Sequence, residues 1–79
     1  MIAKVESRLE KISEDLISFR EKEVLQLICA GHTVKEIASI LYISQHTVIS
    51  HKKNMIQKLQ AKNCVHLVVM GIKNGIVSL

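Results

Sequence analysis

The stretch VKEIASILYISQHTVISHKK, residues 34–53, decides the fold. Thr33 stands just before it, and Glu36 follows at the spacing of a capping box. A Thr hydroxyl accepts from the third amide while the Glu carboxylate reaches back to the capping residue's N–H. That pairing opens a short helix from about Val34 to Leu41, with Ile37, Ala38 and Leu41 inward. Tyr42-Ile43-Ser44 breaks the periodicity. Ser44 is a good N-cap for a longer helix from Gln45 to about Leu59, whose inner face is Val48, Met55, Ile56 and Leu59. A short helix, a three-residue turn and a longer helix make a helix-turn-helix over 34–53. Ala38 is small where the two helices touch, and Ile43 and Val48 pin the corner. The crossing angle projects the start of the second helix outward, where it can enter a DNA major groove.

Upstream, Ser18-Phe19-Arg20-Glu21 is another capping box. It opens a helix from about Phe19 to Ala30, with Val24, Leu25 and Ile28 on one face, and Gly31 is placed to end it. Downstream, a break near 60–62 precedes a helix from about Asn63 to Asn74. Leu67, Val68 and Ile72 are apolar along it, and Gly75 closes it. Before all of these, Ile2, Val5, Leu9, Ile12, Leu16 and Phe19 recur at spacings of 3, 4, 3, 4 and 3. That is an amphipathic helical stripe, too short for a coiled coil on its own. Two readings of it stay open: it lies on the rest of the domain, or it is an interdomain linker or dimerising helix. The expected fold is all-α: a compact four-helix helix-turn-helix domain over 17–79, preceded by an N-terminal amphipathic helix over 1–16.

Composition narrows the function. With 79 residues the chain forms one small domain with little room for a carved catalytic cavity. Hydrophobic residues at 48% and the absence of proline favour a folded, helical chain. No apolar run reaches the length of a membrane span, and no secretion signal stands at the start, so a cytoplasmic protein is expected. Residues 1–23 carry five bases and six acids. Residues 24–79 carry six lysines and one acid, Glu36, a local balance of +5. That suits a polyanionic partner, although a generic solvated surface has the same appearance.

The residues also form a familiar series. Ile17-Ser18-x-Arg20-Glu21-x-Glu23-Val24-Leu25-x-Leu27-Ile28-x-x-Gly31 is followed by Lys35-Glu36-Ile37-Ala38-x-x-Leu41-x-Ile43-Ser44-x-x-Thr47-Val48-x-x-His51. Lys58-Leu59 and Gly75-Ile76-Val77 complete it. The series resembles the LuxR-type (NarL/FixJ-type) DNA-binding domain of bacterial transcription regulators, without a gap over about 17–77. The resemblance implies sequence-specific binding of double-stranded DNA by a regulator's output domain, with the third helix in the major groove and a homodimer formed through the fourth. Carried over by position, it implies that Ile49, Ser50 and Lys53 face base edges. Thr33, Lys35, Gln45, Thr47, His51 and Lys52 would lie near phosphates, and Val65 and Val69 at the dimer face. It implies no cofactor, no small-molecule ligand, no membrane partner, and RNA polymerase as a further possible partner.

Three positions depart from the pattern. Ile49 stands where the family commonly has Lys or Arg; an exposed Ile cannot donate to guanine but packs on a thymine methyl. Tyr42 occupies a tight turn that often holds Gly, at a strain of about 1 kcal/mol if its φ is positive. Cys64 and His66 replace residues of a variable stretch. For His51, a half-buried structural role and a phosphate contact both fit. Cys29-x-x-His32 and Cys64-x-His66 are metal half-sites without partners, so no metal is expected. Cys29 falls on the core side, and Cys64 is either a simple small residue or a thiol activated at a helix start. No nucleophile elbow or phosphate loop is present, and no enzyme is expected. Two rival functions remain: a region-4-like promoter-binding module of a sigma factor, and a protein-interaction module that has lost DNA binding.

Overall fold

The computed structural model of the chain describes residues 17–77; the amphipathic helix expected over 1–16 lies outside the described residues. These hold four helices and no strand: α1 (Phe19–Cys29), α2 (Val34–Leu41), α3 (Gln45–Lys58) and α4 (Cys64–Lys73). Three starts are fixed by the side chain expected there, and the fourth by Asn63, which caps α4 and is not its first residue. The Ser18 and Thr33 hydroxyls accept from the Glu21 and Glu36 amides, and both glutamates complete the reciprocal bond. Ser44 accepts from the Thr47 amide at 3.0 Å, and Asn63 accepts from His66 at 2.8 Å.

The four ends share one device. An N–H five residues on returns to a carbonyl of the last turn: His32 to Leu27, Ile43 to Ala38, Ala61 to Ile56 and Ile76 to Gly71, at 2.9–3.1 Å. Such closures need one residue with positive φ just past the helix. Gly31 and Gly75 supply it at φ 92° and 70°, as the sequence predicts. Tyr42 and Gln60 supply it at φ 56° and 55°. A side chain in that region costs about 1 kcal/mol, so both ends of the α3 segment carry strain that the core must outweigh.

The core is one cluster. Val24, Leu25, Ile37, Val48, Met55 and Leu67 are almost wholly inaccessible, with Ile17, Ala38, Leu59, Ile76 and Val77 around them. At about 1.5–3 kcal/mol per large apolar side chain buried, these residues dominate the stability of so small a domain. α3 packs against α1, α2 and α4, and α4 also lies on α1. Gly71 makes the last approach possible. A Cβ there would stand 2.9 Å from Leu25 Cδ2 and 3.4 Å from Val77 Cγ2, so the missing side chain sets how closely α4 approaches α1.

Ile72 is 38% exposed and points outward, while Gly71 takes the buried position beside it. With Val65, Leu67, Val68, Val69, Met70 and Ile72 all apolar, spacing alone does not mark which side of α4 faces the core.

Candidate nucleic-acid interface

α3 rests on the core through Val48, Met55 and Leu59. At about 100° per residue, the opposite face is the stripe of His46, Ser50, Lys53 and Gln57. His46, Lys53 and Gln57 are exposed and Ser50 is half-buried. Ile49 flanks this stripe. It is half-buried and not exposed as expected, because it sits about a quarter-turn from the core line. His46 is a residue that the family pattern does not single out. Its signal lies in the spacing: it stands four residues before Ser50 and seven before Lys53, the repeat of one helical face.

Around the stripe stand the residues expected near phosphates. Thr33, Lys35 and Gln45 are exposed; Thr47, His51 and Lys52 are half-buried. Thr33, Lys35, Gln45 and Thr47 lie at the starts of α2 and α3, where unpaired backbone N–H groups and the helix dipole favour anions. The Thr47 hydroxyl is 2.8 Å from the Ser44 hydroxyl, so the α3 cap also orients it. Lys52 falls one turn after Val48 on the core-facing side. Only its long stem can bring the ammonium to solvent. Lys53, one residue on, points straight out.

The local electrostatics leave this face positive. Glu36, the single acid of residues 24–79, is engaged in the α2 cap, where its Oε1 accepts from the Thr33 N–H at 2.8 Å. That backbone bond, helped by the Thr33 hydroxyl and by His32 at 3.7 Å, holds the Glu36 carboxyl below its ordinary pKa against slight desolvation. Lys35 and Lys53 are exposed, and residues 24–79 set six lysines against that one carboxylate.

A second pair of residues, invisible to local spacing, fixes α3 in place. The Glu21 carboxylate, 3% exposed, receives two hydrogen bonds from Lys58 Nζ at 2.9 and 3.1 Å. Burial alone would raise the Glu21 pKa, but the Lys58 ammonium and the Ser18 N–H outweigh it and hold the carboxyl below its ordinary value. The pair ties the first turn of α1 to the last turn of α3 across 37 positions. Among the described residues no buried side-chain nitrogen or oxygen lacks a partner.

On the far side, Val65, Val69 and Ile72 form an exposed apolar stripe along α4; Val65 is 73% exposed. Beneath its start, His66 completes the Asn63 cap: its Nδ1 accepts from the Lys62 N–H at 2.9 Å. Cys29 is packed against the core and Cys64 is half-buried. Burial pushes the Cys29 thiol pKa up, with Cys64 adding to the shift, which keeps that thiol protonated and inert. Among the described residues no three His, Cys, Asp or Glu side chains converge as a metal site, and no helix is long and apolar enough to cross a membrane.

An outward-facing helix seated by a strained three-residue turn, under a positive surface, is the architecture of a helix-turn-helix DNA-binding domain. Residues 15–71 match the family described as bacterial regulatory proteins, luxR family, and the chain belongs to it. Membership makes it a DNA-binding regulatory domain. It is 43% identical over 63 residues to the spore germination protein GerE of Bacillus subtilis, covering 80% of this chain and 85% of GerE. It is 36% identical over 76 residues to the response regulatory protein YgeK of Escherichia coli, covering 96% of this chain and 50% of YgeK. To the transcriptional regulatory protein DegU of Brevibacillus brevis it is 42% identical over 60 residues, covering 76% of this chain and 25% of DegU. The chain thus spans half or less of YgeK and DegU, and most of GerE.

Proposed function

We propose that the domain binds double-stranded DNA sequence-specifically, as a homodimer on paired half-sites, in the cytoplasm of a bacterium. Ile49, Ser50 and Lys53, joined by His46, meet base edges in the major groove. Thr33, Lys35, Gln45, Thr47, His51 and Lys52 contact phosphates, and Val65 and Val69 meet their counterparts across the dimer. The observation that carries this reading is the outward α3 stripe, set in a segment that has six lysines and one acid. Capture begins with the backbone: cationic and hydroxyl donors displace counterions and set the register of α3. Insertion follows, and the helix start, about one groove width long, lies deepest. Ile49 supplies an apolar surface, which favours thymine methyl groups over guanine at its base pair.

The test is fluorescence anisotropy with a random-sequence duplex pool as salt is raised. Binding should fall log-linearly with salt, and the Lys52→Ala/Lys53→Ala double variant should show a slope shallower by about 0.9 for each phosphate it no longer neutralises. Equal, weak binding by both proteins at the lowest salt would leave the helix-turn-helix as a scaffold for protein partners.

A further inference from the structure

Of the four histidines, two have partners inside the domain. His32 Nδ1 lies 3.7 Å from the Glu36 carboxylate, and His66 Nδ1 accepts from the Lys62 N–H at 2.9 Å. The other two, His46 and His51, make no side-chain hydrogen bond or ion pair with any described residue, and both stand on α3. His46 is exposed on the outward stripe with Lys53. His51 is half-buried, one turn after Thr47 on the same side of the helix, so a phosphate held by the Thr47 hydroxyl lies within reach of its ring. From these two partnerless rings on the outward helix we infer that the domain takes up protons as it binds DNA, at His46 and His51, so that its affinity for DNA rises as pH falls.

The inference rests on the reading of α3 as the DNA-facing helix and adds what the free domain denies these rings, a counter-charge. The helices packed on α3 carry three acids, and each is engaged elsewhere. Glu21 of α1 holds Lys58, Glu23 of α1 lies 3.4 Å from Arg20, and Glu36 of α2 is bound to its own cap and to His32. α4 carries no acid. The other charges on these elements are cations: Lys22 of α1, Lys35 of α2, Lys52 and Lys53 of α3, and Lys73 of α4, with Lys62 just before α4. The thiols of Cys29 and Cys64 and the Tyr42 phenol bond neither ring. DNA supplies the missing partner. A charged His51 donates to a phosphate oxygen, and a charged His46 donates to a purine N7 or guanine O6 in the groove. Anionic neighbours favour the charged form of an imidazole, whose charge ordinarily changes between about pH 5 and 8. The complex then holds more protons than its free components, so binding strengthens as pH falls through that range, and the gain vanishes above it.

Anisotropy with the random-sequence duplex pool, at fixed ionic strength and at about pH 8 and about pH 6, tests this. Both conditions lie above 4.5, the ordinary carboxylate value from which Glu21 and Glu36 are lowered, so neither acid contributes. Affinity should rise about tenfold on acidification, and the salt slope should steepen by about 0.9 for each phosphate newly neutralised. In the His46→Gln/His51→Gln double variant the ratio of the two affinities should fall to about one; that ratio is the readout, whatever the variant's absolute affinity. Because His51 is half-buried, a second measurement uses the unaltered chain: NMR titration of the imidazole C–H resonances, free and on DNA. The His46 and His51 midpoints should move up by about one pH unit on binding while that of His66, off α3, stays in place. Salt-dependent binding that is flat with pH would overturn the inference and leave the DNA reading intact. A pH gain that survives in the double variant, or midpoints that do not move, would overturn it as well. Absence of salt-dependent binding at either pH would overturn both.

Discussion

The outer faces of α3 and α4 have the same geometry and opposite chemistry. His46, Ser50 and Lys53 on one, and Val65, Val69 and Ile72 on the other, repeat at intervals of four and three residues. Each stripe stands opposite a buried line, Val48 and Met55 beneath the first and Leu67 and Gly71 beneath the second. Helical spacing therefore says only that a face exists; the side chains on it say what it meets. Polar and cationic groups retain their hydration until an anion replaces it. Bare Val and Ile gain only by meeting another apolar surface. The two helices are also seated differently: α3 is tied by the Glu21–Lys58 ion pair, and α4 by the close approach at Gly71.

Reversing the chemistry of each face breaks the comparison most directly. Lys53→Glu should weaken duplex binding about a hundredfold, about 2.7 kcal/mol, because it removes a donor to the bases and adds repulsion from phosphate. Val69→Glu should leave affinity for a single half-site unchanged and abolish only the cooperativity between paired half-sites. Titrations against one-site and two-site duplexes separate the two effects.

The next effect concerns the seat of α3. Lys58→Ala strands a carboxylate that is almost wholly buried, although the Ser18 N–H still bonds it. Lys58 itself is 38% exposed, which places the expected loss near the low end for a broken ion pair, about 2 kcal/mol in urea denaturation. Acid gives the complementary measurement. Because the folded Glu21 pKa lies below its ordinary value of 4.5, the pair's stabilisation is complete above that value and is lost as pH falls through the folded pKa. Lys58→Ala should flatten that acid limb.

Gly71→Ala probes the seat of α4. Helix propensity favours Ala by about 1 kcal/mol, but overpacking against Leu25 costs about 1–3 kcal/mol. Leu25 is fully buried and has nowhere to swing, so a net loss of about 1 kcal/mol is expected by thermal denaturation. The smallest change is His66→Ala, which removes the acceptor for the Lys62 N–H. Water can replace it at this exposed site, so about 0.5 kcal/mol is expected, read as fraying at the start of α4 by hydrogen exchange.

What was legible in the sequence is what is local. The Ser18/Glu21 and Thr33/Glu36 boxes and the Ser44 cap each act within three residues, so helix starts were readable to the residue. Gly31 and Gly75 marked two ends for the same reason, whereas the equivalent end at Gln60 carried no glycine to announce it. Glu21–Lys58 joins positions 37 apart, and no periodicity links them. His66 was unreadable as part of a cap because an imidazole nitrogen takes the place of the usual carboxylate oxygen. On α3 the alternation of core and polar residues defined the outward face, and His46 follows from it; on α4 nearly continuous apolarity concealed which side faced inward.

The Glu21–Lys58 pair has a mechanical consequence. Its carboxylate sits in the turn that follows Ile17, the point where the chain enters the domain, and its ammonium sits in the last turn of α3. One charged linkage thus braces the turn just after residue 17 against the far end of the outward helix, and losing it would leave those two ends joined only through the apolar interior.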